Sequence, residues 1–363
     1  MRVVVALDSF KGSLDSRAAG EAAAAGVRAA DPDASVVVVP VADGGEGTLE
    51  AVGTGARWLH VETVDALGRA LRAPYVVCPD GTAVVEAART LSLALVDPVD
   101  DSVPPCASST GVGDQLAHAL DATTGRVLVG LGGTACTDGG TGLLRALGVD
   151  IRASGSGNPL WTFERLASRL PDLSRVTALA DVTNPLLGEA GAAAVFAPQK
   201  GATPTQVEHL ETQMTRLAGE LARVGSPVAE LPGSGAAGGL GAALLACGAA
   251  LVSGFDELAR QSGLAHVMVG ADLVITGEGS LDRQTVMGKA PAGVARLARA
   301  ADALVVGIGG RVERPGSDLF DAVLPIHSAP RSLSEALDHD TTAVELAATA
   351  YELVRLLQWT ARR

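Results

Sequence analysis

Aromatic residues are scarce in this chain: three Trp, two Tyr and five Phe among 363 residues, 3% of the total. That argues against the stacked aromatic platforms with which proteins hold single-stranded nucleic acid. Positive charge is also short. There are 28 Lys and Arg against 41 Asp and Glu, a formal net charge of −13, and a surface of that sign repels nucleic acid and anionic membranes alike. Any phosphate site must therefore be a local pocket of basic side chains or backbone amides.

Metal-ligand and disulfide patterns are missing too. Cys78, Cys106, Cys136 and Cys247 are widely scattered with no CxxC pair, and the six His show no HExxH or similar spacing. A zinc site and a disulfide framework are both excluded on that pattern. Only five apolar residues, Val3 to Leu7, precede Asp8, too few for a secretory leader. The one long uncharged run, Leu231 to Phe255, is rich in Gly and Ala and contains Pro232. Such residues give little transfer energy into lipid, so the run reads as a glycine loop followed by a buried helix of small residues. The expected location is the cytoplasm, with no membrane partner.

Small aliphatic residues and glycine fill the space left by these absences. Hydrophobic residues make up 47% and there are 44 Gly, a composition suited to helices packed closely on a sheet. The length predicts two domains. Five apolar runs lie at the two ends of the chain: Arg2–Leu7, Val36–Val39, Leu273–Ile275, Ala303–Ile308 and Ala322–Ile326. Each has the length of a buried parallel strand, and helical patterns alternate with them. The count fits a doubly wound, five-stranded α/β sheet of flavodoxin type. From Trp58 to Leu95 the character changes to short alternating segments with turn signals at Gly68 and Asp80-Gly81, which predicts antiparallel strands. A boundary near Ala56 follows. Residues 1–56 and 254–363 are expected to form the flavodoxin-like domain, and 57–253 a second, inserted α/β domain, with an Arg126–Val129 strand, a Val176–Ala180 strand and an amphipathic helix over Pro204–Val224.

Charged groups cluster at the ends of the predicted strands. The stretch Ala271 to Ala300 runs strand, loop, helix, and its loop carries Glu278, Asp282, Arg283 and Lys289, with Pro291 placed to open the helix. Asp8 and Lys11 share the exit of the first strand. Asp43 and Glu46 follow the second, and Asp181 and Asn184 end another. Singly, each has a structural explanation: a helix cap, a solvated lysine, an Asx turn. Together they point to one ligand site, because in open parallel sheets ligands bind at the carboxyl ends of the strands. Acids there suit a Mg²⁺ ion and lysines suit a phosphate.

Known motifs narrow the chemistry. The loop before Lys289 is not a Walker A, since Arg283 replaces its first glycine and Ala290 its hydroxyl residue. Neither HRD and DFG nor GxSxG occurs, which removes protein kinases and hydrolase elbows. Gly130 to Ala135 matches GxGxxG/A, with Asp150 about twenty residues on, and supports an alternative NAD(P)-dependent oxidoreductase of small hydroxy acids. The same glycines, continuing to Gly142, offer instead a nest of amides for phosphate oxygens, with Thr134 and Thr137 as donors.

Seven segments in order, DSFKGSL (Asp8 to Leu14), VADGGEGT (Val41 to Thr48), GLGGTACTDGGTG (Gly130 to Gly142), DVTNPLLG (Asp181 to Gly188), PQKGAT (Pro198 to Thr203), PGSGAAGGLGA (Pro232 to Ala242) and TGEGSLDRQTVMGKAP (Thr276 to Pro291), resemble the successive motifs of bacterial glycerate kinases of the non-MOFRL type. The resemblance runs almost end to end. It implies ATP-dependent, Mg²⁺-dependent phosphorylation of D-glycerate, usually to 2-phosphoglycerate, in a cleft between a flavodoxin-like domain and an inserted α/β domain. It leaves a homodimer open. Carried onto this chain, it implies ATP phosphates at Gly132, Gly133, Thr134, Asp138, Gly139 and Gly140, and Lys11 and Lys289 offsetting charge on the transferred group. Mg²⁺ would be held by Asp43, Glu46, Glu278 or Asp282. Asp181, then Asp8, would orient or deprotonate the hydroxyl, and Arg69, Ser108, Asn184 and Lys200 would bind the substrate. The chain departs from the family pattern at Cys136, where Asn is usual, at Ala88 to Leu93, and at Thr110.

Overall fold

The computed structural model describes residues 1–155, 157–282, 285, 289–313 and 319–361. Its strands are β1 (Arg2–Leu7), β2 (Ser35–Val38), β3 (Arg57–Val64), β4 (Ala70–Val77), β5 (Ala83–Glu86), β6 (Val127–Gly130), β7 (Ile151–Ala153), β8 (Phe163–Leu166), β9 (Val176–Leu179), β10 (Ala250–Val252), β11 (Leu273–Leu281), β12 (Leu304–Val312) and β13 (Ala322–Pro325). The chain divides into two compact units. The first contains Met1–Asp43, Glu50–Thr54 and Phe255–Arg363, and the second Gly44–Leu49 and Gly55–Gly254.

The first unit is built on an all-parallel sheet in the order β13-β12-β11-β1-β2. Counting only this sheet's strands along the chain, that order is 2-1-3-4-5, the flavodoxin arrangement, whose switch point lies between its first and third strands. Here those strands are β1 and β11. The apolar runs are uninterrupted because both faces are covered. Val3, Val5, Leu7, Leu273, Ile275, Val306 and Ile308 pack with Ala19, Ala23 and Val27 of helix Ser16–Ala30 and with Leu346, Ala350 and Val354 of helix His339–Ala361. On the other face Val4, Ala6, Val274 and Val305 meet Leu264, Met268, Val294 and Ala298. Each such Val or Leu contributes about 1.5–3 kcal/mol on burial. Gly26 sets how closely the first face is covered, since a Cβ there would lie 1.9 Å from Ala347 O. Asp15 caps helix Ser16–Ala30 by accepting a hydrogen bond from Ala18 N at 2.7 Å.

The second unit holds a six-stranded sheet, β10-β9-β6-β5-β4-β3. The pairs from β10 to β5 are parallel, and β5-β4 and β4-β3 are antiparallel. The antiparallel half is the one expected between Trp58 and Leu95. Helix Pro204–Val224 begins with a capping box between Thr203 and Gln206. Two features were not expected. The uncharged run ends in strand β10, and β7 and β8 form a separate two-stranded sheet. Strands this short, three and four residues, give too little periodicity to be read. The glycine segment before β10 does lead into a buried helix, Ala236–Ala246, where Ala237, Gly238 and Gly239 adopt left-handed angles. Among the described residues no helix is long and apolar enough to cross a membrane.

Candidate active site

In the first unit the switch point carries the charge cluster. β1 hands directly into Asp8, whose amide donates to Gly277 O at 2.8 Å, and β11 carries Glu278. Asp8 and Glu278 are both buried. Burial pushes the Asp8 carboxyl well above the usual carboxylate range. The charges of Asp43 and Glu278 push the same way, against the Ser9 amide, which donates to Asp8 Oδ1 at 2.6 Å, and against Lys11. Burial raises Glu278 as well, opposed by Lys289, by Thr285 and by Lys11 and assisted by Asp43. Thr285 Oγ1 donates to Glu278 Oε1 at 2.8 Å and accepts from the Asp282 amide at 3.1 Å. Lys289 Nζ stands 3.6 Å from Glu278 Oε2, at the mouth of helix Ala290–Ala300. Lys11 sits in the turn closed by Phe10 and Leu14, which packs beside Gly279. Arg283 lies outside the described residues.

The structure thus brings together Asp8, Lys11, Asp43, Glu278 and Lys289. Among the described residues it gathers no group of three or more His, Cys, Asp or Glu able to hold a metal; Asp43, Glu278 and Asp282 lie in the first unit. Glu46 belongs to the second unit. Mg²⁺ needs only one or two protein carboxylates, with phosphate and water completing its shell. Burial, with the negative charge of Asp43 added to it, raises both Asp8 and Glu278 and marks a place where an added cation is favourable, so these residues fit such an ion.

In the second unit the loop Gly130–Gly142 differs from the expected nest. Several of its amides are bonded within the unit. Gly132 N donates to Gly44 O, Ala135 N to Leu91 O and Gly139 N to Gly238 O. The Gly140 and Gly142 amides donate to Asp138 Oδ1 and Oδ2, and Ser109 gives both its amide and its hydroxyl to Asp138 Oδ2. Asp138 is therefore a fully buried internal cap, and the amides of Gly132, Gly139 and Gly140 each have a partner inside the unit. Gly130 and Gly132 are glycines for another reason: a Cβ would lie 2.4 Å from Gly44 O and 2.5 Å from Gly45 Cα, respectively. They clear the way for residues 44–45, which removes the dinucleotide reading of GxGxxG. Gly133 is exposed with φ +75°, and Thr134 beside it is buried.

Lys200, from PQKGAT, is buried beneath this loop. Its Nζ donates to Cys136 O at 2.7 Å and lies 3.5 Å from Thr134 Oγ1. Burial lowers its pKa against the opposing pull of Cys136 and Asp138. Thr137 Oγ1 is buried with no hydrogen-bond partner among the described residues. Asp181 Oδ1 accepts from Gly254 N at 2.9 Å. Asn184 Nδ2 closes its own loop onto Ala190 O. Arg69 pairs with Asp65 at 2.5 Å and donates to Leu95 O. Ser108 Oγ bonds Thr110 Oγ1 at 2.9 Å.

The glycerate kinase family model matches residues 3–358. A glycerate kinase of Bacillus subtilis (strain 168) is 37% identical over 374 residues, covering 96% of this chain and 97% of its own. A glycerate 2-kinase of Escherichia coli (strain K12) is 38% identical over 359 residues, covering 93% of each. The chain belongs to the glycerate kinase family. A crystal structure described as glycerate kinase 2 from Salmonella typhimurium LT2 superposes with a TM-score of 0.85 at 38% identity, covering 100% of both chains. Membership makes this chain a phosphotransferase.

One buried carboxylate of the second unit escaped the sequence. Glu86 ends strand β5, is fully buried, accepts from Gly47 N at 3.3 Å and Leu49 N at 3.0 Å, and is ion-paired with Arg89, whose Nε lies 3.0 Å from Oε1 and whose Nη2 donates to Oε2 at 3.5 Å. The signal was available: a single carboxylate closing the apolar strand Ala83–Glu86 must be paired where it is buried.

Proposed function

We propose that this kinase transfers the γ-phosphoryl group of ATP to the 2-hydroxyl of D-glycerate. The observation that carries the reading is the cluster of Asp8, Lys11, Asp43, Glu278 and Lys289 at the switch point of a flavodoxin-order sheet in a member of this family. The hydroxyl oxygen attacks the γ-phosphorus, the bond to the ADP oxygen breaks, and the hydroxyl proton passes to a carboxylate. Asp8 serves as that acceptor: burial, with the charge of Asp43 beside it, raises its carboxyl above the usual carboxylate range, which strengthens it as a base. Asp181 is left to orient the hydroxyl. Lys11 and Lys289 offset negative charge on the transferred group, the main demand of phosphoryl transfer. Asp43, Glu46, Glu278 or Asp282 would hold Mg²⁺, which when bound offsets charge on the phosphates.

Lys200 with Thr134 is the choice for the substrate carboxylate. A buried ammonium with no carboxylate within ion-pair distance among the described residues favours an anion beside it. Arg69, Ser108 and Asn184 already bond within the unit and are secondary candidates. The 2-hydroxyl assignment draws support from the 2-kinase of E. coli. The same reading takes residues 1–56 with 254–363 as one domain and 57–253 as the other, and places the enzyme in the cytoplasm, where ATP is available. A coupled assay tests it: ADP should form only when ATP, Mg²⁺ and D-glycerate are all present. ADP release indifferent to D-glycerate would overturn it.

A further inference from the structure

The short segment from Glu86 to Ser92 holds two of the second unit's motif loops at once. On one side Ala87 N donates to Gly130 O, Leu91 O accepts from Ala135 N, and Ser92 pairs with Thr134 as an isolated antiparallel bridge. On the other, Glu86 receives the Gly47 and Leu49 amides and so fixes the first turn of helix Thr48–Val52. Arg89 neutralises Glu86, and Ser92 Oγ donates to Glu46 Oε1 at 3.1 Å. The direction of that last bond is set locally. Ser92 Oγ already accepts from Ala94 N at 3.1 Å, so its single proton is directed to Glu46. Ser92 is buried and Glu46 is exposed. Glu46 is thereby an outward carboxylate on a backbone gripped from below, while the buried carboxylate beneath it is paired.

We propose that Glu86 and Ser92 are positioning residues that fix Glu46 for phosphoryl transfer, Glu86 through the backbone on which Glu46 stands and Ser92 through its carboxylate. This rests on the reading that Glu46 serves the reaction. A carboxylate on a glycine-flanked loop (Gly44 and Gly47 both have positive φ) samples many orientations unless it is held, and loss of orientation lowers turnover more than binding.

The test is a double-mutant cycle on the full chain with Glu46→Gln, Ser92→Ala and the pair together, with Ser92→Thr as the conservative variant. Ser92→Ala should lower kcat about tenfold while KM for D-glycerate changes less than about twofold, a split that marks an interaction used in the transition state. Ser92→Thr should restore most of the loss, and the double variant should be no slower than Glu46→Gln alone. Wild-type kcat in Ser92→Ala, or losses that simply multiply, would overturn the positioning role while leaving Glu46 in place. Wild-type kcat in Glu46→Gln would remove the reading of Glu46 and the proposal with it. Glu86→Gln, followed by amide exchange at Gly47 and Leu49, provides the second check: those amides should exchange faster, and unchanged exchange contradicts the clamp.

Discussion

Lys289 Nζ lies 3.6 Å from one carboxylate oxygen of Glu278 while Thr285 closes on the other at 2.8 Å. The lysine is part exposed at the start of a helix, and an ion pair in that setting contributes little to folding. Lys289→Ala should therefore lower turnover on the order of 100-fold or more, with a melting midpoint within about 2 °C of wild type. A variant that unfolds, or one that turns over normally, contradicts the role given to Lys289.

Asp8 should behave in the opposite way. Its folded pKa is raised above the ordinary 3.8 by burial and by neighbouring acids. The folded state thus binds its proton more tightly than the unfolded state. Stability from this group is fully present below pH 3.8 and is lost as pH rises through the raised value. At neutral pH the ionised carboxylate is a burden, so Asp8→Asn should raise the melting midpoint by roughly 2–4 °C while abolishing turnover. A lower midpoint at pH 7 would contradict that account.

Asp138 is a structural residue in this account, with Ser109, Gly140 and Gly142 donating to its carboxylate. Asp138→Asn places an amide donor among donors and should cost about 3 kcal/mol or more of stability, read from the denaturant midpoint. Lost activity at an unchanged midpoint would instead return Asp138 to the nucleotide.

Gly132 distinguishes a packing glycine from a phosphate-binding one. Gly132→Ala drives a Cβ to within 2.5 Å of Gly45 Cα and should cost about 1–3 kcal/mol by overpacking. Gly68→Ala, where φ is +80° but the space is open, should cost only about 1 kcal/mol. Equal melting midpoints for the two variants would show that residues 44–45 do not press on Gly132.

The first unit was largely legible because a buried parallel strand writes itself as a short apolar run, and β1, β2, β11, β12 and β13 all do so. Asp8, Lys11, Asp43, Glu278 and Lys289 were legible for a related reason: polar residues at the carboxyl ends of such runs have one place to go. The glycine loop was not. Whether Gly130 and Gly132 meet a phosphate or another stretch of backbone depends on residues 44–45, some 85 positions earlier, and local pattern carries no trace of that approach. The inward turn of Asp138 was hidden in the same way, because Ser109 arrives from a different part of the chain. Short strands such as β7 and β10 fall below the length at which alternation can be recognised.

Phosphorus NMR of the product formed from ATP, Mg²⁺ and D-glycerate tests the central claim most directly, since it reports both the transfer and the oxygen that receives the phosphoryl group. The expected spectrum shows ADP and 2-phosphoglycerate in equal amounts. A 3-phosphoglycerate signal would contradict the assignment of the hydroxyl, and an unchanged ATP spectrum would contradict the kinase reaction itself.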